Sequence, residues 1–252
     1  MKAFIAFDDT DNLESIGTGH LLEFVAQDVE KNGWGARSFI TRHQLLVHPD
    51  VPYTSHNSSM CFSADLGEGC LEALISHASA FLEREGAPGS DPGLCVAVAE
   101  RLAGIEDLVA FGRKAKEVVV TKSDAYGLAR RLGVHLSEHG GTGQGVVGAL
   151  AAVGLRMGGN DGRVRGHLQL EGDGNGTARV SQIRAQSHVR SVRSLDGVVL
   201  PDDELVLLRG KQKAVLLDGM PVLLVMPAPR ASASAPWQTC GKDVLKAALK
   251  SF

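Results

Sequence analysis

Apolar and polar positions change period along this chain, and the changes mark its elements. Residues 2–7 (KAFIAF) form a near-continuous apolar run, as in a strand covered on both faces of a sheet. Residues 8–19 are polar and contain glycine, so they read as a loop. Leu21, Leu22, Val25 and Val29 recur at helical spacing, and Asn32-Gly33 stops that helix. ARSFITRHQLLVHP reads as a strand, a break and a second strand. Pro49 and Pro52 bracket a turn. SSMCFSADL (58–66) is a further strand, 70–85 a helix, 94–100 a strand and 105–116 a helix. VVVT (118–121) reads as a strand and 123–132 as a helix.

The character then changes. HGGTGQGVVGALAAVG puts a glycine cluster ahead of an Ala/Val/Leu helix, and VRGHLQLE (164–171) reads as a strand. Residues 178–227 show short apolar runs and few helix signals. Asp218-Gly219 between AVLL and MPVLLV is a hairpin signature. Residues 227–236 (PAPRASASAP) have the composition of a linker, and 242–252 fit a short C-terminal helix. The expected fold class is α/β (α+β): a core over 1–170, a small β-rich module over 171–227, and a linker and helix over 228–252.

Composition adds little beyond exclusions. The 252 residues are 44% hydrophobic and 22% charged, with a net charge of −3, an ordinary globular balance. The four cysteines form no CxxC pair, which argues against a zinc ribbon. No signal peptide or membrane span is expected, so the protein is read as cytoplasmic. The oligomeric state is open, a homodimer included.

The chemistry concentrates at the end of the first strand. Asp8, Asp9 and Asp11 lie within four residues, and such crowding needs a cation or hydrogen bonds to neutralise it. Mg²⁺ takes one or two carboxylates together with phosphate oxygens and water. A solvated turn with a helix cap is the plain alternative. Asp9-Thr10-Asp11 also imitates the haloacid-dehalogenase nucleophile motif, but Leu13 stands where that motif expects Thr or Val.

Gly143, Gly145 and Gly148 match the GxGxxG dinucleotide fingerprint, with Glu171 ending a strand downstream. Glycine amides at a helix start suit phosphate or a nucleobase. Close packing of a small-residue helix on a sheet explains the same glycines. An NAD(P)-binding oxidoreductase is therefore one alternative function. Within residues 41–59, His56, Asn57 and Ser58 are candidates for orienting a γ-phosphate or its acceptor. Thr18 reads from spacing alone as a helix N-cap. Residues 179–213 carry seven Arg/Lys against four acids, so a second alternative is a non-catalytic nucleotide- or RNA-binding module; a solvated basic face is the blander reading.

FDDTDN…GTGHL, HPDVPYTSHNSS, DPGLCVAV and GQGVVGALAAVG occur in that order. Together they resemble the archaeal tRNA-Ile agmatinylcytidine synthetase family, which shows IDDTDS…GxCTT, NPxIPxKTRGN, NPG and GRGLIGALAAIG. The resemblance covers about residues 1–170. It implies a kinase-like synthetase catalytic core over 1–170 using ATP and Mg²⁺, with a ferredoxin-like portion at about 65–135, in which a cytidine C2 oxygen is phosphorylated and then displaced by agmatine. It points to Asp8, Asp9 and Asp11 as holders of Mg²⁺-ATP and to Thr18 as the counterpart of a threonine that becomes phosphorylated. Where the family has KTRGN, this chain has Thr54-Ser55-His56-Asn57-Ser58, without the lysine and arginine. The family's zinc ribbon is also missing. The expected function is thus an ATP-dependent ligase or phosphotransferase whose acceptor, a tRNA cytidine or a small molecule, is unknown.

Overall fold

The computed structural model describes residues 1–51, 57–229 and 235–249, and they separate into two compact units, Met1–Gly158 and Gly159–Phe252. The first unit runs β1 (Lys2–Asp8), α1 (Thr18–Lys31), β2 (Gly35–Arg37), β3 (Thr41–Gln44), β4 (Ser58–Leu66), α2 (Cys70–Glu85), β5 (Gly93–Val98), α3 (Ile105–Glu117), α4 (Lys122–Leu132), β6 (His135–Glu138) and α5 (Gly145–Gly158).

Its strands lie in the order β6-β5-β1-β4-β3, with β2 also on β4, and every pairing is antiparallel. β1 is central, as its unbroken apolar run requires. Ala3, Ile5 and Phe7 face a cluster with Leu22 and Val25 of α1 and Leu74 and Leu82 of α2. Phe4 and Ala6 face the opposite cluster, with Leu108 of α3 and Ala149, Leu150 and Val153 of α5. Period-2 alternation along β1 thus feeds two cores, one on each side of the sheet. Within 65–135, the end of β4 and all of β5 belong to this same sheet, and β4 and β5 flank β1 directly.

The second unit contains β7 (Arg163–Val164), β8 (Thr177–Arg179), α6 (Val180–Gln186), β9 (Ser191–Ser194), β10 (Leu205–Leu207), β11 (Val215–Leu217), β12 (Met220–Pro227), β13 (Trp237–Thr239) and α7 (Lys242–Ala248). β11 and β12 form the expected hairpin: Leu217 pairs Met220, and Asp218 (φ 49°) and Gly219 (φ 71°) make a two-residue turn with both φ positive. Val215, Leu217, Val222, Leu224 and Leu245 share its core.

Three local expectations change. VVVT is not a strand: Val118 and Val119 follow α3 without a sheet partner and are 46% and 45% exposed. VRGHLQLE forms a strand only at Arg163–Val164. VSQIRAQ is a helix, started where the Arg179 amide donates to Gln182 Oε1 at 2.7 Å. Among the described residues, no helix is long and apolar enough to cross a membrane.

Candidate active site

β1 ends at Asp8, and the chain turns there through Asp9, whose φ is 49°. Asp tolerates this left-handed conformation better than most residues. The turn sends Asp8, Asp9 and Asp11 into one cavity of about 330 Å³. Thr10 points away from it and is fully buried. Its hydroxyl donates to Thr18 Oγ1 at 3.1 Å, and Thr18 Oγ1 donates to Asp11 Oδ1 at 3.3 Å. Thr18 is the first residue of α1 and makes no capping bond; Gly17 holds the cap position. The cap expected from spacing is therefore replaced by a hydroxyl bonded to the aspartate turn.

The remaining walls come from distant segments. Thr18, Asn57, Ser58, Gln144, Gly145 and Gly148 line the polar side together with Asp50, and Leu45, Leu46, Val51, Val118–Val120 and Val147 line an apolar side. No lysine or arginine stands among the described lining residues. Asn57 Nδ2 donates to Leu46 O at 2.5 Å, so its amide fastens the wall itself. Ser58 Oγ, at the start of β4, accepts from Arg42 Nε at 2.8 Å. His56 lies outside the described residues.

The carboxylates repel one another in the absence of a cation. Burial, then the neighbouring Asp9 charge, push Asp8 well above the usual carboxylate range. Burial, then the charges of Asp91 and Asp11, raise Asp9 to about 6. Helix α5 presses on this floor: a Cβ at Gly148 would stand 1.7 Å from Asp8 Oδ2, so only glycine fits there.

The glycine run does not open a Rossmann βαβ unit, because the strands around it pair only antiparallel. It wraps a carboxylate of the protein instead. Thr142 donates its amide to Asp91 Oδ1 at 2.6 Å and its hydroxyl to Asp91 Oδ2. Burial pushes Asp91 up, but the Thr142 hydroxyl and the amides of Thr142, Gln144 and Gly143 together hold it below its ordinary range. Gly141, at φ 55°, passes so close that a Cβ would lie 1.8 Å from Asp91 Oδ1. The Gly145 amide donates to Asp91 O at 3.1 Å. Gly145 and Gly148 reach the cavity, whereas Gly143 sits over Glu138, itself bonded to Lys122 and Tyr126 at 2.8 Å each. Sequence reasoning misses Asp91, Asp50 and the Val118–Val120 wall. The DPG segment is visible in the sequence, but nothing local ties Asp91 to a loop 51 residues away.

As a magnesium site, the cluster fits by its donors. Among the described residues, no three His, Cys, Asp or Glu side chains form a ready ligand set. One or two carboxylates completed by phosphate and water are nevertheless what Mg²⁺ takes, and the unanswered charge on the Asp8 floor is what a cation relieves.

No protein-family model and no curated protein matches the chain. Solved structures do. TiaS in complex with an isoleucine tRNA and ATP superposes with a TM-score of 0.54 and 23% identity, over 61% of this chain and 36% of that one. Apo TiaS, an agmatidine synthetase of the same tRNA, gives 0.53 and 23% over 61% and 35%. A tRNA fluorescent labeling enzyme gives 0.52 and 24% over 61% and 36%. Each match spans little more than a third of the solved chain, and the likeness is one of fold: a mixed α/β chain built like TiaS.

Proposed function

We propose that this protein is an ATP-dependent, RNA-modifying ligase. On this reading the cavity binds Mg²⁺-ATP and activates an acceptor oxygen, a cytidine carbonyl of tRNA, for displacement by an amine. The observation that carries the proposal is the convergence of Asp8, Asp9 and Asp11 with Thr18, Gly145 and Gly148 on one cavity that no described lysine or arginine lines, in a fold also seen in a TiaS complex with tRNA and ATP.

The acceptor oxygen attacks the γ-phosphorus, and the bond to the β–γ bridging oxygen breaks, releasing ADP. The amine nitrogen then attacks the activated carbon, and inorganic phosphate leaves with the acceptor oxygen. Mg²⁺ would supply charge neutralisation of the transferring phosphoryl group. Asp8 and Asp9 would hold it, and Asp11 would orient the Thr18 hydroxyl toward the phosphates. If Thr18 itself receives a phosphoryl group, Asp11, its hydrogen-bond acceptor, is placed to take the proton. The Val118–Val120 wall offers an apolar surface for a nucleobase. The Gly145–Gly148 turn admits the ligand close to backbone. The loop amides of 142–144, already bonded to Asp91, act as structure that fixes this turn.

The test is ADP release in the presence of Mg²⁺, unfractionated tRNA and agmatine, with mass spectrometry of the nucleosides. Amine-dependent ADP release with a modified cytidine supports the reading. ADP release without a modified nucleoside moves the acceptor to a small molecule.

One observation favours a binding module without turnover: residues 159–252 carry 13 Lys/Arg against 9 Asp/Glu, whereas 1–158 carry 13 against 20. RNA binding with a steep salt dependence and no ATP consumption would establish that alternative.

A further inference from the structure

The positive charge of the second unit is unevenly spent. Arg184 pairs with Asp202 at 2.7 Å and Arg193 with Asp218 at 2.5 Å, and Arg179 Nη1 donates to the Asp203 carbonyl at 2.7 Å. Two other segments, RVRGH (163–167) and RGKQK (209–213), hold five Lys/Arg together with His167 and contain no Asp or Glu.

Backbone pairing sets these two segments side by side. Arg163 pairs antiparallel with Val215, and the Val164 amide donates to Ala214 O at 2.9 Å. The same register puts Arg165 opposite Lys213. Past Gly166, whose φ is 90°, the Leu168 amide donates to Gln212 O at 2.9 Å, which brings His167 beside Lys211 and Lys213. Alternation then sorts the side chains. Val164, Leu168, Gln212 and Ala214 are buried, Arg165 and Lys213 are half-buried, and His167, Arg209 and Lys211 are exposed. Gln212 Nε2 donates to Gly210 O at 2.8 Å and to Arg209 O at 3.4 Å, so a buried amide fixes the turn that carries Arg209 and Lys211. Burial, then the charges of Lys213 and Lys211, hold the His167 imidazole below its ordinary pKa, as in a cluster of like charges. Among the described residues, Arg209 and Lys211 enter no ion pair.

A strip of this kind fits a row of anions rather than one. Successive outward residues stand about 7 Å apart along a strand, and neighbouring strands about 5 Å apart. Neither segment contains Phe, Trp or Tyr, so the strip offers no stacking platform for bases. The aspartate cavity cannot supply the attraction itself: no described lysine or arginine lines it, and residues 1–158 carry 13 Lys/Arg against 20 Asp/Glu. We propose that Arg165, His167, Arg209, Lys211 and Lys213 form a strip that binds the phosphate backbone of RNA. The contacts position the RNA without reading its sequence. The choice of RNA among polyanions rests on the RNA-modifying reading given above.

The test is fluorescence anisotropy of end-labelled, unfractionated tRNA with the full chain, between about 50 and 200 mM salt. The double variant Arg209→Gln/Lys211→Gln should flatten the slope of log affinity against log salt by about two, and weaken binding at least about tenfold at the low-salt end. Arg184→Gln, whose partner is Asp202, should stay within about twofold. In the wild-type protein tRNA should protect Lys211 from acetylation, a readout that needs no variant. The proposal is overturned if tRNA does not bind, if the double variant keeps the wild-type slope, if Lys211 stays unprotected, if Arg184→Gln loses as much, or if phosphatidylserine vesicles bind in preference to tRNA. Calorimetry with Mg²⁺-ATP separates this inference from the cavity reading. Intact ATP binding without tRNA binding sinks the strip alone, and tRNA binding by the strip without ATP binding sinks the cavity reading alone.

Discussion

The aspartate turn at residues 8–11 and the glycine loop at 140–145 contain carboxylates in opposite electrostatic conditions. Asp91 is surrounded by donors: the Thr142 hydroxyl and three loop amides hold it ionised. Asp8 faces burial and the Asp9 charge, Asp9 faces burial and the charges of Asp91 and Asp11, and no described lysine or arginine lines their cavity. The composition of the loop advertises an anion site, but that site is filled by the protein's own Asp91. The composition of the turn advertises a cation site, and nothing in the described protein neutralises it. A motif's chemistry therefore has to be read together with what already occupies it.

The comparison can be broken most severely at Asp8. Asp8→Ala should weaken Mg²⁺-ATP binding by at least a hundredfold in calorimetry, with Asp11→Ala weaker in effect. Next in size is Gly148→Ala, which places a methyl against the Asp8 carboxylate. Overpacking of this kind costs about 1–3 kcal/mol, so its urea midpoint should fall and ATP affinity should fall with it.

Asp91→Ala leaves the loop donors without their acceptor. Part of this loss is made good by water, so a destabilisation of about 1–2 kcal/mol is expected in chemical denaturation. Asp91→Asn, which keeps one acceptor oxygen, should cost less. An equal loss in both would show that charge rather than hydrogen bonding fixes the loop.

The smallest effect is on pH dependence. Asp9 titrates near 6 in the folded protein, above its unfolded value, so the folded state binds more protons between those values. Without a bound cation, this group makes the protein gain stability as pH falls from 7 toward 4, and lose it as pH rises through about 6. After allowance for solvent screening the change is about 1–2 kcal/mol. Asp9→Asn should flatten the profile. Mg²⁺ affinity should run the other way, falling as pH drops below 6, because protonation removes the ligand.

Much of this is legible along the chain because it is local. The apolar run of β1 ending in Asp8, the spacing of Leu21, Leu22, Val25 and Val29, and the Asp218-Gly219 turn each carry their own signal, and each forms as read. The site's outer parts are non-local. Asp91 matters only because residues 141–144 fold back over it. Val118–Val120 have strand-like composition, yet they pair with no strand among the described residues and become a cavity wall. Thr18 resembles a cap because Gly-Thr-Gly precedes a helix; tertiary contact with Thr10 and Asp11 uses its hydroxyl differently. The short α6 escapes a sequence reading because its start rests on one Gln182 side chain.

Asp8, Asp9 and Asp11, faced by no described lysine or arginine, are proposed to hold metal-bound nucleotide. Calorimetric titration of the wild-type protein and Asp8→Ala with ATP, each with and without Mg²⁺, tests it most directly. Binding is expected only to the wild-type protein and only with Mg²⁺. Equal binding to both proteins, or binding indifferent to Mg²⁺, would contradict it.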